Sequence, residues 1–147
     1  MDLKENTNQV FQQVTKAIQE TGREDGSVSV IAVTKYVDIA TAANLIDQGV
    51  KHIGENRVDK FLEKYHALSD KDVTWHLIGS LQRRKVKDII PFVDYFHALD
   101  SLKLAQEIQK RADRTVKCFL QVNISGEESK HGFSKEELLT VLPDLSS

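Results

Sequence analysis

The apolar positions of this chain follow two rhythms. Leu3, Val10, Phe11, Val14, Ala17 and Ile18 recur at helical spacing over residues 2–21, and the stretch TGREDGS then breaks the pattern. Val28 and the run Val30-Ile31-Ala32-Val33 read instead as a short strand buried on both faces. After it, Asp38 stands as N-cap to IATAANLIDQ, and Gly49 takes the place just past that helix's end. VKHIGEN predicts a second strand, and Val58, Phe61, Leu62, Tyr65 and Leu68 mark the helix that follows. VTWHLIG is a third strand, succeeded by a helix from about Leu81 to Ile90 that Pro91 closes. VDYFHALD, a helix LKLAQEIQKRA capped by Ser101, and a fifth strand in TVKCFLQVNI come next. SGEESKHG is a loop, and Ser134 with Glu137 forms a capping box for a last helix.

This is a strand followed by a helix five times over, after a leading helix. Such alternation implies βαβ units and a parallel sheet. No linker, repeat or low-complexity segment divides residues 1–147, so a single domain is expected. Periodicity leaves two architectures open: a doubly wound sheet complete in five strands, or about five units of a (β/α)8 barrel. With 40% hydrophobic and 29% charged residues the chain has the makeup of a folded globular protein rather than a disordered one. Twenty basic and 22 acidic residues give a net charge of -2, which argues against a nucleic-acid or membrane partner chosen by bulk electrostatics. QRRKVK at 82–87 is a local exception; it reads as a solvated helix face, or as positive charge near a phosphate at a helix start. No stretch reaches the apolar length needed to span a bilayer, and MDLKENTNQV lacks the features of a signal peptide, so the cytoplasm is the expected compartment. The single Cys118 lies in a strand-like run and offers neither a disulfide nor a metal cluster.

The polar residues fall at one end of every strand: TK at 34–35, GEN at 54–56, WHLIGS at 75–80, HALDS at 97–101 and QVNISGEESKHG at 121–132. In a parallel α/β fold those ends form one surface, so Lys35, Asn56, His76, Ser80, His97, Asn123 and Ser125 could converge there. Plainer readings stand beside this one. The Lys35 stem can pack while its ammonium reaches water, and His76 can be a hydrogen-bonded core residue. Asn56 can start a helix, and Gly54 and Gly79 can mark turns.

Five blocks, AVTKYV, GENRVDKF, WHLIGSLQRRKVK, FHALDS and QVNISGEESKHGF, together resemble in order and spacing the pyridoxal 5′-phosphate (PLP) homeostasis proteins, which share their barrel with alanine racemase. The resemblance implies a TIM-type (β/α)8 barrel, here about five strand-helix units of an incomplete one. It implies PLP carried as a Schiff base on Lys35, with Asn56 bordering the cofactor and His76, Gly79 and Ser80 beside it. The implied role is PLP homeostasis by a non-catalytic carrier, with apo PLP-dependent enzymes as recipients; a racemase or decarboxylase of the same barrel class is the alternative. An eight-stranded barrel typically takes about 250 residues, and its phosphate site is usually built after strands 7 and 8, so phosphate-binding residues are expected beyond residue 147.

An aldehyde condenses only with a neutral amine, and burial at the end of an apolar strand would disfavour the lysine cation. A carboxylate close by would oppose this, so Glu55 is expected to point away from Lys35, toward the helices. Lys130, in the polar loop after the fifth strand, is a secondary candidate, an amine that could take over the aldehyde by transimination.

Overall fold

The computed structural model describes residues 2–24, 26–126 and 131–145. Helix α1 (Leu3–Glu20) leads, with the Asp2 carboxylate accepting from the Glu5 N–H at its start. Then follow β1 (Ile31–Val33), α2 (Ile39–Asp47), β2 (His52–Glu55), α3 (Val58–Leu68), β3 (Thr74–Leu77), α4 (Val86–Ile89), β4 (Tyr95–Leu99), α5 (Leu102–Arg111), β5 (Lys117–Leu120) and α6 (Lys135–Leu145). The caps fall where the side chains allow them. Asp38 accepts from the Thr41 N–H at 2.8 Å, Ser101 from Leu104 at 3.1 Å and Ser134 from Glu137 at 3.0 Å. Gly49 ends α2 with φ of 106°, a conformation a β-carbon would strain.

All five strands are parallel and lie in the order β1-β2-β3-β4-β5. This order decides between the two architectures. A doubly wound sheet reverses direction at a switch point and sets helices on both faces. An order that never reverses keeps its crossovers on one face, as the wall of a (β/α)8 barrel does.

Register then assigns the faces. Glu55, Leu77, Phe96 and Cys118 form one row across β2 to β5. This row and its neighbours Ile53 and Trp75 turn toward the helices, and Ile53, Leu77 and Phe96 are fully buried there with Phe61 of α3. The next row, Val33, Gly54, His76, Tyr95 and Lys117, faces the concave side.

Two expectations are corrected. β1 is not buried on both faces: it is the edge strand and its Val33 is 52% exposed on the concave side. The helix expected over residues 81–90 is a 3-10 turn at Arg83–Lys85, the single helical turn of α4 and a second 3-10 turn at Ile90–Phe92. Its apolar residues Leu81, Val86, Ile89 and Ile90 are buried as the pattern required. Pro91, which lacks an N–H, sits inside the second 3-10 turn rather than after a long helix. Among the described residues no helix is long and apolar enough to cross a membrane.

Candidate functional site

Strand alternation places His52, His76 and His97 on the concave face of β2, β3 and β4. They form a continuous row: His52 Nδ1 lies 3.0 Å from His76 Nε2, and His76 Nδ1 lies 2.8 Å from His97 Nε2. His76 also stacks on Tyr95, ring centroids 4.7 Å apart at 9°. Burial, then the neighbouring His97 and His52, lower the His76 pKa to about 4, and burial lowers that of His97. His76 is therefore a satisfied buried histidine and a member of the concave surface at once. Sequence reading had not joined it to His52, because cross-strand register is needed to see the row.

At the rim, Thr34 follows the last residue of β1, and the chain turns as the Val37 N–H donates to the Thr34 carbonyl at 3.2 Å. Every polar group of Thr34 is engaged. Its N–H donates to the Gly54 carbonyl at 3.0 Å, its hydroxyl donates to Glu55 Oε2, and its carbonyl also accepts from Lys64 Nζ. Lys64 and Glu55 form an ion pair, Nζ to Oε2 3.1 Å, with side chains 5% and 0% exposed. Glu55 Oε1 has no hydrogen-bond partner among the described residues. Glu55 thus faces the helical layer, as expected, and its partner Lys64 is the residue that sequence reading missed. A signal was present: Lys64 lies three residues after Phe61 and four before Leu68, on the buried stripe of α3.

Lys35, immediately after this cluster, is exposed, so the burial expected at the strand end is not found. Its Nζ lies 5.1 Å from the Tyr36 ring centroid and makes no hydrogen bond or ion pair among the described residues. Lys35 lines a rim concavity with Tyr36, Asp38, Lys60, Glu63 and Lys64; Asn56, His76, Gly79 and Ser80 are not among its walls. Asn56 and Gly79 meet through their backbones at the ends of β2 and β3, where a β-carbon on Gly79 would lie 2.0 Å from the Asn56 carbonyl oxygen. Gly79 is thus demanded by close approach of two chain segments. Asn56 does not cap α3, whose N-cap is Arg57. Ser80 is exposed just beyond. Residues 82–85 open a 3-10 turn rather than a helix of useful length, so no helix N-terminus waits there for a phosphate. After β5, Asn123 Oδ1 accepts from the Ser125 hydroxyl and the Gly126 N–H, both at 3.1 Å, in a local turn. Lys130 lies outside the described residues.

A sequentially ordered parallel sheet, helices on one face and polar groups at the strand ends define part of a (β/α)8 barrel with its ligand side at those ends. Residues 6–147 match the family model of the alanine racemase N-terminal domain, and the chain belongs to that family. It is 38% identical over 141 residues to the pyridoxal phosphate homeostasis protein of Aquifex aeolicus, covering 94% of this chain and 62% of that protein. To the protein of the same name in Pseudomonas aeruginosa it is 33% identical over 137 residues, covering 91% and 60%. Among solved structures it is similar to PipY of Synechococcus elongatus PCC7942 with PLP bound, at a TM-score of 0.76 and 32% identity over 90% of this chain and 63% of PipY. An unknown protein from Bifidobacterium adolescentis superposes at a TM-score of 0.82 with 32% identity, covering 98% and 64%. The chain therefore spans about six tenths of the length of these relatives.

Proposed function

We propose that this chain serves in PLP homeostasis, as a cytoplasmic carrier that holds the cofactor covalently at Lys35 and turns over no amino acid. The observation that carries the reading is the contrast between two neighbouring primary amines. Lys64 is buried and closed by Glu55, whereas Lys35 stands at the ligand side of the sheet without a carboxylate partner among the described residues. The names of the relatives and the PLP held by PipY support it.

The part of the cofactor that this chain can meet is its aldehyde, through a primary amine at the strand ends. When bound, PLP supplies an aldehyde for attachment to a primary amine and a phosphate that accepts charge-assisted hydrogen bonds. Lys35 is the amine. Asn56, Gly79 and Ser80 are the rim segments we assign to border the cofactor, with His76 below them on the concave face. Restraint from catalysis has its own support. A general base must lie within about 2.6–3.2 Å of the proton it takes, and both ring nitrogens of His76 are already engaged by other histidines.

Titration with PLP, followed by visible absorbance, tests the reading. The wild-type protein should develop the band of lysine-bound PLP and Lys35→Ala should not, while L-alanine should remain unracemised in the presence of PLP. An undiminished band in Lys35→Ala would refute the assignment, and racemisation by the well-folded protein would favour the enzyme reading.

A further inference from the structure

We propose that Thr34, Glu55 and Lys64 are positioning residues for Lys35, locking the residue before it and holding their own charges as a closed pair, so that Lys35 is the amine presented to an aldehyde. This rests on the reading of Lys35 as the attachment point and adds what makes it so.

The geometry is specific. Residue 34 has three polar groups, and β2 and α3 hold all of them. The backbone bond to Gly54 fixes β1 against β2, the hydroxyl fixes Thr34 to Glu55, and the carbonyl is tied both to Lys64 and to the turn that carries Lys35. A residue so constrained leaves little freedom in the direction taken by the one that follows. A threonine-to-carboxylate bond and a lysine-to-carbonyl bond within one buried cluster exceed what a plain ion pair would need.

Charge is the second half of the argument. Around Lys35 the rim concavity presents Asp38 from the start of α2 and Lys60, Glu63 and Lys64 from α3, with Glu55 behind them on β2. Asp38 is held by Thr41, and Lys60 pairs with Glu63 at 3.6 Å. Lys64 pairs with Glu55. The two pairs cancel, so the charge left around Lys35 is the -1 of the Asp38 carboxylate at the start of α2. Removing one partner exposes the charge of the other. A lone Lys64 cation would disfavour a second cation at Lys35, and a lone Glu55 anion would favour it.

Trace acetylation with acetic anhydride, quantified lysine by lysine by mass spectrometry against the exposed Lys51 and Lys87, reads this without PLP. In the wild-type chain Lys64 should be acetylated at least about tenfold more slowly than Lys35, since a buried, paired amine is closed to reagent. Glu55→Gln should speed acetylation of Lys35 by about threefold and Lys64→Met should slow it by about as much, from the loss of one neighbouring charge. The double variant Glu55→Gln/Lys64→Met should return it to the wild-type rate. A general loosening of the rim would move both single variants the same way. That result, or no change in either folded variant, overturns the proposal. If a single variant does not fold, the wild-type comparison decides, and Lys64 reacting as fast as Lys35 overturns the proposal. Borohydride trapping of PLP in parallel separates the two claims: no adduct on Lys35 refutes the carrier reading, whereas the acetylation pattern judges the positioning cluster.

Discussion

Replacing Gly79 by alanine puts one carbon where the structure has no room for it. The added Cβ would sit 2.0 Å from the Asn56 carbonyl oxygen, 2.8 Å from its carbonyl carbon and 3.0 Å from its Cα. Carbon and carbonyl oxygen ordinarily approach to about 3.3 Å, so the two segments must part by about 1.3 Å. The obstacle is backbone, which cannot rotate aside as a side chain would. Parting them strains the adjacent bond from the Ile78 N–H to the Glu55 carbonyl, now 2.8 Å. Losing that bond costs about 1 kcal/mol and overpacking about 1–3 kcal/mol, against a gain below about 1 kcal/mol from a stiffer unfolded chain. The net loss is about 1–4 kcal/mol.

Gly54→Ala supplies the control on the neighbouring strand. The atoms nearest its Cβ would be side-chain carbons of Ile31, at 3.2 Å, and Ile78, at 3.5 Å, which can yield. Urea unfolding followed through Trp75, the one tryptophan and 3% exposed, measures both. With a slope of about 2 kcal/mol/M, Gly79→Ala should lower the midpoint by about 0.5–2 M and Gly54→Ala by less than half of that. Equal midpoints for the two variants, or a Gly79→Ala midpoint matching wild type, would refute the close approach of Asn56 and Gly79.

Other outcomes follow from the same geometry. Lys64→Met, which strands the fully buried Glu55 carboxylate, should cost about 3–5 kcal/mol, and adding Glu55→Gln should recover most of it; urea midpoints of both variants check this. Because folding lowers the His76 pKa from 6.5 to about 4, the unfolded chain takes up the proton first. The resulting stability is complete above pH 6.5 and is lost as pH falls toward 4, and His76→Gln should flatten that part of the stability profile measured by urea midpoint against pH. Lys35→Ala, at an exposed position, should leave stability within about 0.5 kcal/mol of wild type by the same unfolding measurement while removing PLP attachment.

What could be read from the sequence divides along physical lines. Caps at Asp38, Ser101 and Ser134 and the alternation of strands with helices are local properties, and they stand in the structure as read. Strand order is not local: the same pattern serves a doubly wound sheet and a barrel, and only the pairing of β1 through β5 in sequence order distinguishes them. The region from Leu81 to Phe92 misled because buried residues at 81, 86, 89 and 90 mimic a helix, while Pro91, which cannot donate from its backbone nitrogen, sits inside a short 3-10 turn. At the rim, the direction of Glu55 followed from strand alternation, but exposure of Lys35 did not, since an apolar strand says nothing about how far its following turn projects. Of the histidine row, His76 and His97 were read as converging strand-end residues, whereas His52, at the start of β2, joins them only through register.

The central claim is that Lys35 is the amine that holds PLP, and trapping the complex tests it most directly. The protein is mixed with PLP, reduced with borohydride, digested and mapped by mass spectrometry. A phosphopyridoxyl adduct concentrated on Lys35, absent from Lys64 and lost in Lys35→Ala, is the predicted result. An adduct that forms instead on Lys64, Lys130 or another lysine, with Lys35 unmodified, would contradict the account.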